Sequence, residues 1–297
     1  MKILFVYSNR AEYSILEPYI KYFKKKSDTT VINLSKKING VHLDKNLHKV
    51  YKVCYEYFKK NKIDYVCVLG DRRELPFIAL AALFTQTKLI HIGAGEYTEG
   101  LPTYDQIIRP IISILSKHQI CFSQNAVEEV KDLFSGISNL NSDAQNFGNP
   151  VFKGIKMKSI NRPIKENFDL VLIHPQSLSE EDTKKDMMQL KKSIRNKKTF
   201  FIKGNKDRNY EIIEKFYSKI RNNKLYKIYE TLPKEKYYSY VKFCDKFYTN
   251  SSSISEIKFL NKNCLVQIGK RNKNRLEHEF NKNSPQLLYE YLKRNYQ

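Results

Sequence analysis

The sequence predicts an α/β protein made of two successive domains, each built on a parallel sheet, and three observations carry that reading. Short, unbroken apolar runs recur from the first residues to about residue 268. Segments with helical spacing of their apolar residues lie between those runs, and repeated β-α units with fully apolar strands form parallel sheets covered on both faces. The alternation pauses once, at Gly148-Asn149-Pro150 and a Lys-rich stretch to about residue 167, and then restarts. This places the domains at 1–157 and 158–297.

In the first half, residues 3–7 are a buried-strand run and 13–23 a helix; 30–34 is a second strand. An amphipathic helix over 47–58 feeds a strand at 65–69. An apolar helix at 75–84, a strand at 88–92, a helix at 107–115 and a strand at 120–123 follow. In the second half, strands fall at 170–174, 199–203, 225–229, 246–249 and 265–268, with helices at 180–192, 210–220 and 237–243. Ser284-Pro285 reads as an N-cap with proline in the first turn, opening a terminal helix to about 294 that packs near the first domain.

A chain of 297 residues, 41% hydrophobic and 13% aromatic, can bury a sizeable core and is not disordered. No apolar run approaches the roughly 20 residues that span a bilayer, and the apolar start is too short for a signal core. The five cysteines are scattered and odd in number, and no Cys/His cluster has zinc spacing. They read as small buried hydrophobes in a reduced, cytoplasmic protein with no metal and no cofactor. The net charge of +22 is spread over almost every helix-like segment, as in Lys24-Lys25-Lys26 and Lys191-Lys192. A nucleic-acid binder would focus it on one face, so no nucleic-acid partner is expected; the charge favours an anionic substrate instead.

Ligands of such sheets sit at the carboxyl ends of strands, so the residues just after each strand carry the functional reading. Ser8-Asn9-Arg10 follows the first strand, and an arginine at a helix start can hold a phosphate. Gly70-Asp71-Arg72-Arg73-Glu74 follows the strand at 65–69, with Asp71 placed to cap the next helix. Gly93-Ala94-Gly95-Glu96 follows the strand at 88–92, and Asp105 precedes the helix that contains Arg109. Three carboxylates at one sheet edge suit acid–base work, because like charges raise one another's pKa.

Together these segments resemble the N-terminal half of the hydrolysing UDP-N-acetylglucosamine 2-epimerases of the sialic-acid-pathway type. The second half agrees in order: Gly148-Asn149-Pro150-Val151, His174-Pro175, Asn205-x-Asp207, Asn250-Ser251-Ser252-Ser253, and Ile268-Gly269-x-Arg271-Asn272-Lys273-Asn274-Arg275. The resemblance implies two Rossmann-like domains facing a cleft, as in glycosyltransferases of type B, with a nucleotide-sugar as partner. It implies elimination of UDP across C1–C2 of UDP-N-acetylglucosamine, then hydration to N-acetylmannosamine. Carried over residue by residue, it implies catalytic roles for Asp71, Glu96, Asp105 and His174. Arg10, Asn205, Ser251, Ser252, Ser253, Arg271 and Arg275 would bind substrate or nucleotide. His91, His118 and His278 match no catalytic position and read as structural.

The chain departs from that family at several points. Ser8 stands where glycine is usual, Asn274 replaces a glycine, and Gln106 replaces a common glutamate. Ile254 and Ile257 occupy the positions of a glycine and of a glutamate that would serve the ribose, with Glu256 one residue early. The segment between Leu34 and Leu47 is compressed. A transferase of the same architecture and an inactive nucleotide-sugar binder are the alternatives; the three carboxylates weigh against the first, and the drift at Ile254 and Ile257 is the support for the second. With no bilayer-length apolar run, no membrane partner is expected, and a homo-oligomer is compatible with the sequence.

Overall fold

The computed structural model describes residues 1–37, 46–97, 104–157, 160–176, 178–204 and 206–296. Asn205, and most of the segment compressed between Leu34 and Leu47, lie outside the described residues. The chain divides into two compact units, one of residues 1–97, 104–154 and 278–296, the other within 155–277.

The first unit runs β1 (Lys2–Tyr7), α1 (Arg10–Phe23), β2 (Asp28–Asn33), α2 (Leu34–Lys37), α3 (Leu47–Asn61), β3 (Tyr65–Leu69), α4 (Leu75–Phe84), β4 (Lys88–Ile92), α5 (Tyr104–Leu115), β5 (His118–Cys121), α6 (Gln124–Ser135) and β6 (Ala144–Asn146). The second runs β7 (Asp169–Ile173), α7 (Glu180–Ser193), β8 (Thr199–Lys203), α8 (Tyr210–Ile220), β9 (Tyr226–Tyr229), α9 (Lys234–Phe243), β10 (Lys246–Thr249), α10 (Ile254–Asn261) and β11 (Leu265–Gln267). The terminal helix α11 (Ser284–Arg294) belongs to the first unit.

Among the described residues, six parallel strands form the first sheet in the order β2-β1-β3-β4-β5-β6, and five form the second in the order β11-β10-β7-β8-β9. Each is a Rossmann-like doubly wound sheet, as the alternation of apolar strands and helices predicts. Side chains alternate across each strand, so every central strand feeds two cores. On one face of the first sheet Leu4, Val6, Val66 and Val68 pack with Phe58 of α3 and Ile78 of α4. On the other, Ile3, Phe5 and Cys67 pack with Leu16 and Phe23 of α1 and with Leu288 and Leu292 of α11. Each fully buried leucine there contributes about 1.5–3 kcal/mol of transfer free energy. The second sheet repeats the scheme, with Leu170 and Phe247 against Val241 and Ile257, and Val171 and Tyr248 against Met187 and Ile213.

Two cap assignments are corrected. Ser284 is not the N-cap of α11: Asn283 precedes the helix, and Ser284 is buried with its hydroxyl 2.5 Å from the Tyr19 phenol. Asp71 does not cap α4 either. Glu74 flanks that helix without a side-chain cap bond, Pro76 fills its first turn, and Asp71 is drawn away to a buried arginine. Helix α6 and strand β6, absent from the sequence reading, complete the first sheet. All five cysteines are buried and free. No helix among the described residues is long and apolar enough to cross a membrane.

Candidate active site

Doubly wound sheets bind ligands where the strand order reverses. In the first sheet that point lies between β1 and β3, and in the second between β7 and β10. Arg10 and Asp71 follow β1 and β3, and His174 and Ser251–Ser253 follow β7 and β10.

Glycines with left-handed backbone turn the chain out of β3 and β4: Gly70 has φ +80, Gly93 +74 and Gly95 +71. At Gly95 a Cβ would run into the Ala126 backbone, so only glycine lets Glu96 come down beside α6. Buried His91, on β4, steadies the neighbouring loop; its Nε2 sits 2.7 Å from the Gly70 carbonyl oxygen and its Nδ1 2.9 Å from the Ser113 hydroxyl. Burial pushes that imidazole down to about 4, so it is neutral, with Nε2 as the donor to Gly70.

The two loops meet on Arg109 of α5. Its buried guanidinium forms an ion pair with the Asp71 carboxylate and donates to the backbone carbonyl of Glu96. A buried arginine needs a carboxylate or several acceptors, and Asp71 and Glu96 supply both. Asp105 is one turn earlier on the same face of α5, at i−4 from Arg109. The Arg73 guanidinium lies 4.2 Å from the centre of the Tyr104 ring, tying the start of α5 to the β3 loop. Glu96 is 9% exposed, and its Oε2 is 3.0 Å from Nε2 of His278.

A second acidic cluster lies at the β1 side of the switch point. Asn9 caps α1 by accepting from the Glu12 N–H at 2.9 Å, and Glu12 reaches back to the Ser8 N–H at 2.6 Å, a reciprocal capping box. Arg72 Nε is 3.3 Å from Glu12 and 3.0 Å from Glu74, both buried. Burial pushes the Glu12 carboxyl up to about 7, against the Ser8 hydrogen bond and the Arg72 charge. The carboxyl poised near neutrality is thus one that the sequence reading passed over, and desolvation, more than like-charge crowding, places it there. Exposed Arg10 opens α1 beside this cluster.

In the second unit, Asn250 joins the ends of β7 and β10. It accepts from the His174 N–H and donates to the His174 carbonyl oxygen, both at 2.8 Å, and donates to Asp186 at 3.0 Å. The His174 imidazole is pushed down to about 3 by burial and then by the Arg271 charge, so it is neutral in the free protein. Asn272 donates to the carbonyls of Asn250 and Ser251 at 2.8 and 2.9 Å, fixing the serine loop. Ser251 is buried, Ser252 exposed, and Ser253 precedes α10 without a side-chain cap bond. The loop therefore offers hydroxyls and a helix N-terminus, the donors that suit a phosphate.

Arg271 acts electrostatically on both His174 and Asp186, and Arg275 lies one turn on. Asn274 has φ +49, the left-handed geometry that its place as a glycine substitute requires. Ile254 and Ile257 are buried, Ile257 within the core below α9 and α10.

The structure brings Asp71 and Glu96 together through Arg109 and sets Asp105 on the same helix; it gathers His174, Arg271 and the serine loop around Asn250 and Asp186. Sequence reasoning missed Glu12, Asp186 and the contact of His278 with Glu96. Glu12 was legible as the N3 position of a capping box. His278 carried no local signal. Among the described residues no group of His, Cys, Asp and Glu could hold a metal ion.

Two doubly wound sheets, one with Arg109 joining the loops after β3 and β4 and the other with a serine-led helix after β10, define a two-domain Rossmann-like fold. Residues 16–282 match the family model described as UDP-N-acetylglucosamine 2-epimerase, and the chain belongs to that family. It is 30% identical to the GDP/UDP-N,N'-diacetylbacillosamine 2-epimerase (hydrolyzing) of Campylobacter jejuni, over 80% of this chain and 64% of that protein, less than two thirds of its length. It is 26% identical to the polysialic acid biosynthesis protein P7 of Escherichia coli, over 93% of this chain and 80% of that one. The fold is shared with the UDP-GlcNAc 2-epimerase of Methanocaldococcus jannaschii solved with UDP-GlcNAc and UDP (TM-score 0.77, 17% identity, 99% of each chain). It is also shared with that of Neisseria meningitidis bound to UDP-GlcNAc (TM-score 0.75, 15% identity, 99% of this chain and 100% of that one).

Proposed function

We propose that the chain is a hydrolysing 2-epimerase of a nucleotide-activated N-acetylamino sugar, converting UDP-N-acetylglucosamine to N-acetylmannosamine and UDP. A carboxylate takes the C2 proton, the C1–O bond to the diphosphate breaks, and a glycal forms. Water then adds at C1 while a proton returns to C2 from the other face, so that one water is consumed and one nucleoside diphosphate released. Asp71, Glu96 and Asp105 serve the sugar; Arg10, Asn205, Arg271, Arg275 and Ser251–Ser253 hold the nucleotide, and neutral His174 donates to its phosphates.

The observation that carries this reading is the joining of Asp71 and Glu96 by the buried Arg109. One fixed cation that pairs with the Asp71 carboxylate and holds the Glu96 backbone sets two strand-end carboxyls beside each other for proton transfer, and binding alone needs no such arrangement. The family membership and the names of the relatives support the reaction type, and the Campylobacter relative makes a diacetamido sugar the second substrate to test. Chromatography of nucleotides released from UDP-N-acetylglucosamine, and from UDP- and GDP-linked diacetamido sugars, tests the proposal. Release of free UDP or GDP with a C2-inverted sugar supports it; intact substrates overturn it.

A further inference from the structure

A chain of polar contacts runs from the backbone to Glu96 through two residues outside the catalytic reading. The Val151 N–H is a donor 2.9 Å from Asn149 Oδ1, which fixes the orientation of that buried amide. The Asn149 Nδ2 group, a donor only, is then 3.0 Å from Nδ1 of His278. With Nδ1 accepting, a neutral imidazole carries its proton on Nε2, the atom 3.0 Å from Glu96 Oε2.

The backbone holds this arrangement. Asn149 N–H donates to the Glu279 carbonyl at 2.7 Å, and Asn281 N–H donates to the Asn149 carbonyl at 3.1 Å, so the returning segment is clamped on both sides of His278. Gly148, at φ +71, leaves no room for a Cβ against Asn281 and the Glu279 carbonyl. The ring is walled by Phe122, with centroids 5.2 Å apart, and by Phe280.

From this geometry we propose that His278 is a positioning residue for Glu96: Asn149 locks its tautomer, and its Nε2 proton is presented to the carboxylate, holding Glu96 ionised and aimed as the proton acceptor. The inference rests on the 2-epimerase reading for its catalytic consequence, and on the contact chain alone for its tautomer. A donor to the charged form of a carboxylate favours that form. A doubly protonated ring would have to turn an N–H against the Asn149 amide, so His278 stays a donor without becoming a cation. Among the described residues, Arg109, at its backbone carbonyl, and the Cys121 thiol on β5, which burial and the Glu96 charge push up to about 12, also face Glu96. Neither competes for the proton near neutrality.

Two measurements test this. Long-range ¹H–¹⁵N spectra of the ¹⁵N-histidine-labelled full chain, with His278 assigned by its loss in His278→Gln, should show a neutral Nε2–H tautomer at pH 7. A Nδ1–H tautomer or an imidazolium overturns the proposal, with or without activity. In turnover, His278→Leu should lower kcat roughly 10–100-fold with KM within about threefold. The acid limb of its kcat/KM profile should move up by about one pH unit, since Glu96 loses a donor to its ionised form. His278→Gln, which keeps an amide N–H near the Nε2 position, should recover most of the loss. A His278→Leu profile unchanged in height and position overturns the positioning role. If the unmodified protein releases nucleotide from no nucleotide-sugar, the 2-epimerase reading fails, and the catalytic role of His278 with it, while the spectrum still decides the tautomer.

Discussion

Arg109 is ion-paired with Asp71 across the gap between α5 and the end of β3. The same guanidinium donates to the Glu96 carbonyl, so one buried cation sets the spacing of two candidate catalytic loops. Arg109→Met should leave Asp71 without its partner and lower turnover by roughly 10²–10³. It should also cost about 3 kcal/mol in stability, the penalty of breaking a buried pair. Chemical denaturation and nucleotide-release kinetics on one preparation separate the two effects; unchanged turnover would remove Arg109 from the site.

Glu96→Gln keeps the volume and removes the proposed base. Turnover should fall roughly 10²–10⁴-fold while KM changes little, because the carboxylate acts in the transition state more than in the ground state. Steady-state kinetics check this, and a loss confined to KM would assign Glu96 to binding.

The serine loop should divide binding from chemistry in the opposite way. Ser252 is exposed at its tip, and Asn272 holds the carbonyls beneath it. Ser252→Phe should weaken UDP affinity about tenfold or more, with a folded state of ordinary stability. Asn272→Ala should weaken it too and also cost about 1–3 kcal/mol, because two buried carbonyls lose their donor. Calorimetric titration with UDP, alongside denaturant unfolding, distinguishes the pair.

His91 gives a pH dependence of known sign. Its folded-state pKa of about 4 lies below the ordinary histidine value, so between those values the unfolded chain binds a proton that the folded protein refuses. Its contribution is whole above about pH 6.5 and is lost as pH falls toward 4. His91→Gln keeps a donor for Gly70 and does not titrate. The stability difference between wild type and variant should shift by about 2 kcal/mol toward the variant from pH 7 to pH 5. Parallel unfolding curves at the two pH values would contradict this.

Much of the fold was legible because buried parallel strands are written as continuous apolar runs. The strands at 65–69, 88–92, 199–203 and 246–249 appear with those bounds. Helix α6 was legible in principle: Ser123 caps it through the Ala126 N–H, and Val127, Val130 and Phe134 share one face. Strand β6 is three polar or small residues, and only its pairing with β5 makes it a strand. The strand ends pointed to Asp71 and Glu96 because turns out of a parallel sheet are short and glycine-dependent. Local sequence could not reveal that Arg109 would bridge them, or that a histidine far along the chain would return to Glu96. Those contacts are made by tertiary packing between segments distant in sequence.

In the proposed reaction the C2 proton of a nucleotide-sugar is removed and a proton is returned to C2. Running the reaction of the purified full chain with UDP-N-acetylglucosamine in D₂O, and reading the released amino sugar by NMR, tests it most directly. Free UDP and N-acetylmannosamine carrying deuterium at C2 are expected, with Glu96→Gln slowing both together. Release of UDP with an amino sugar that keeps its original proton and configuration at C2 would contradict it.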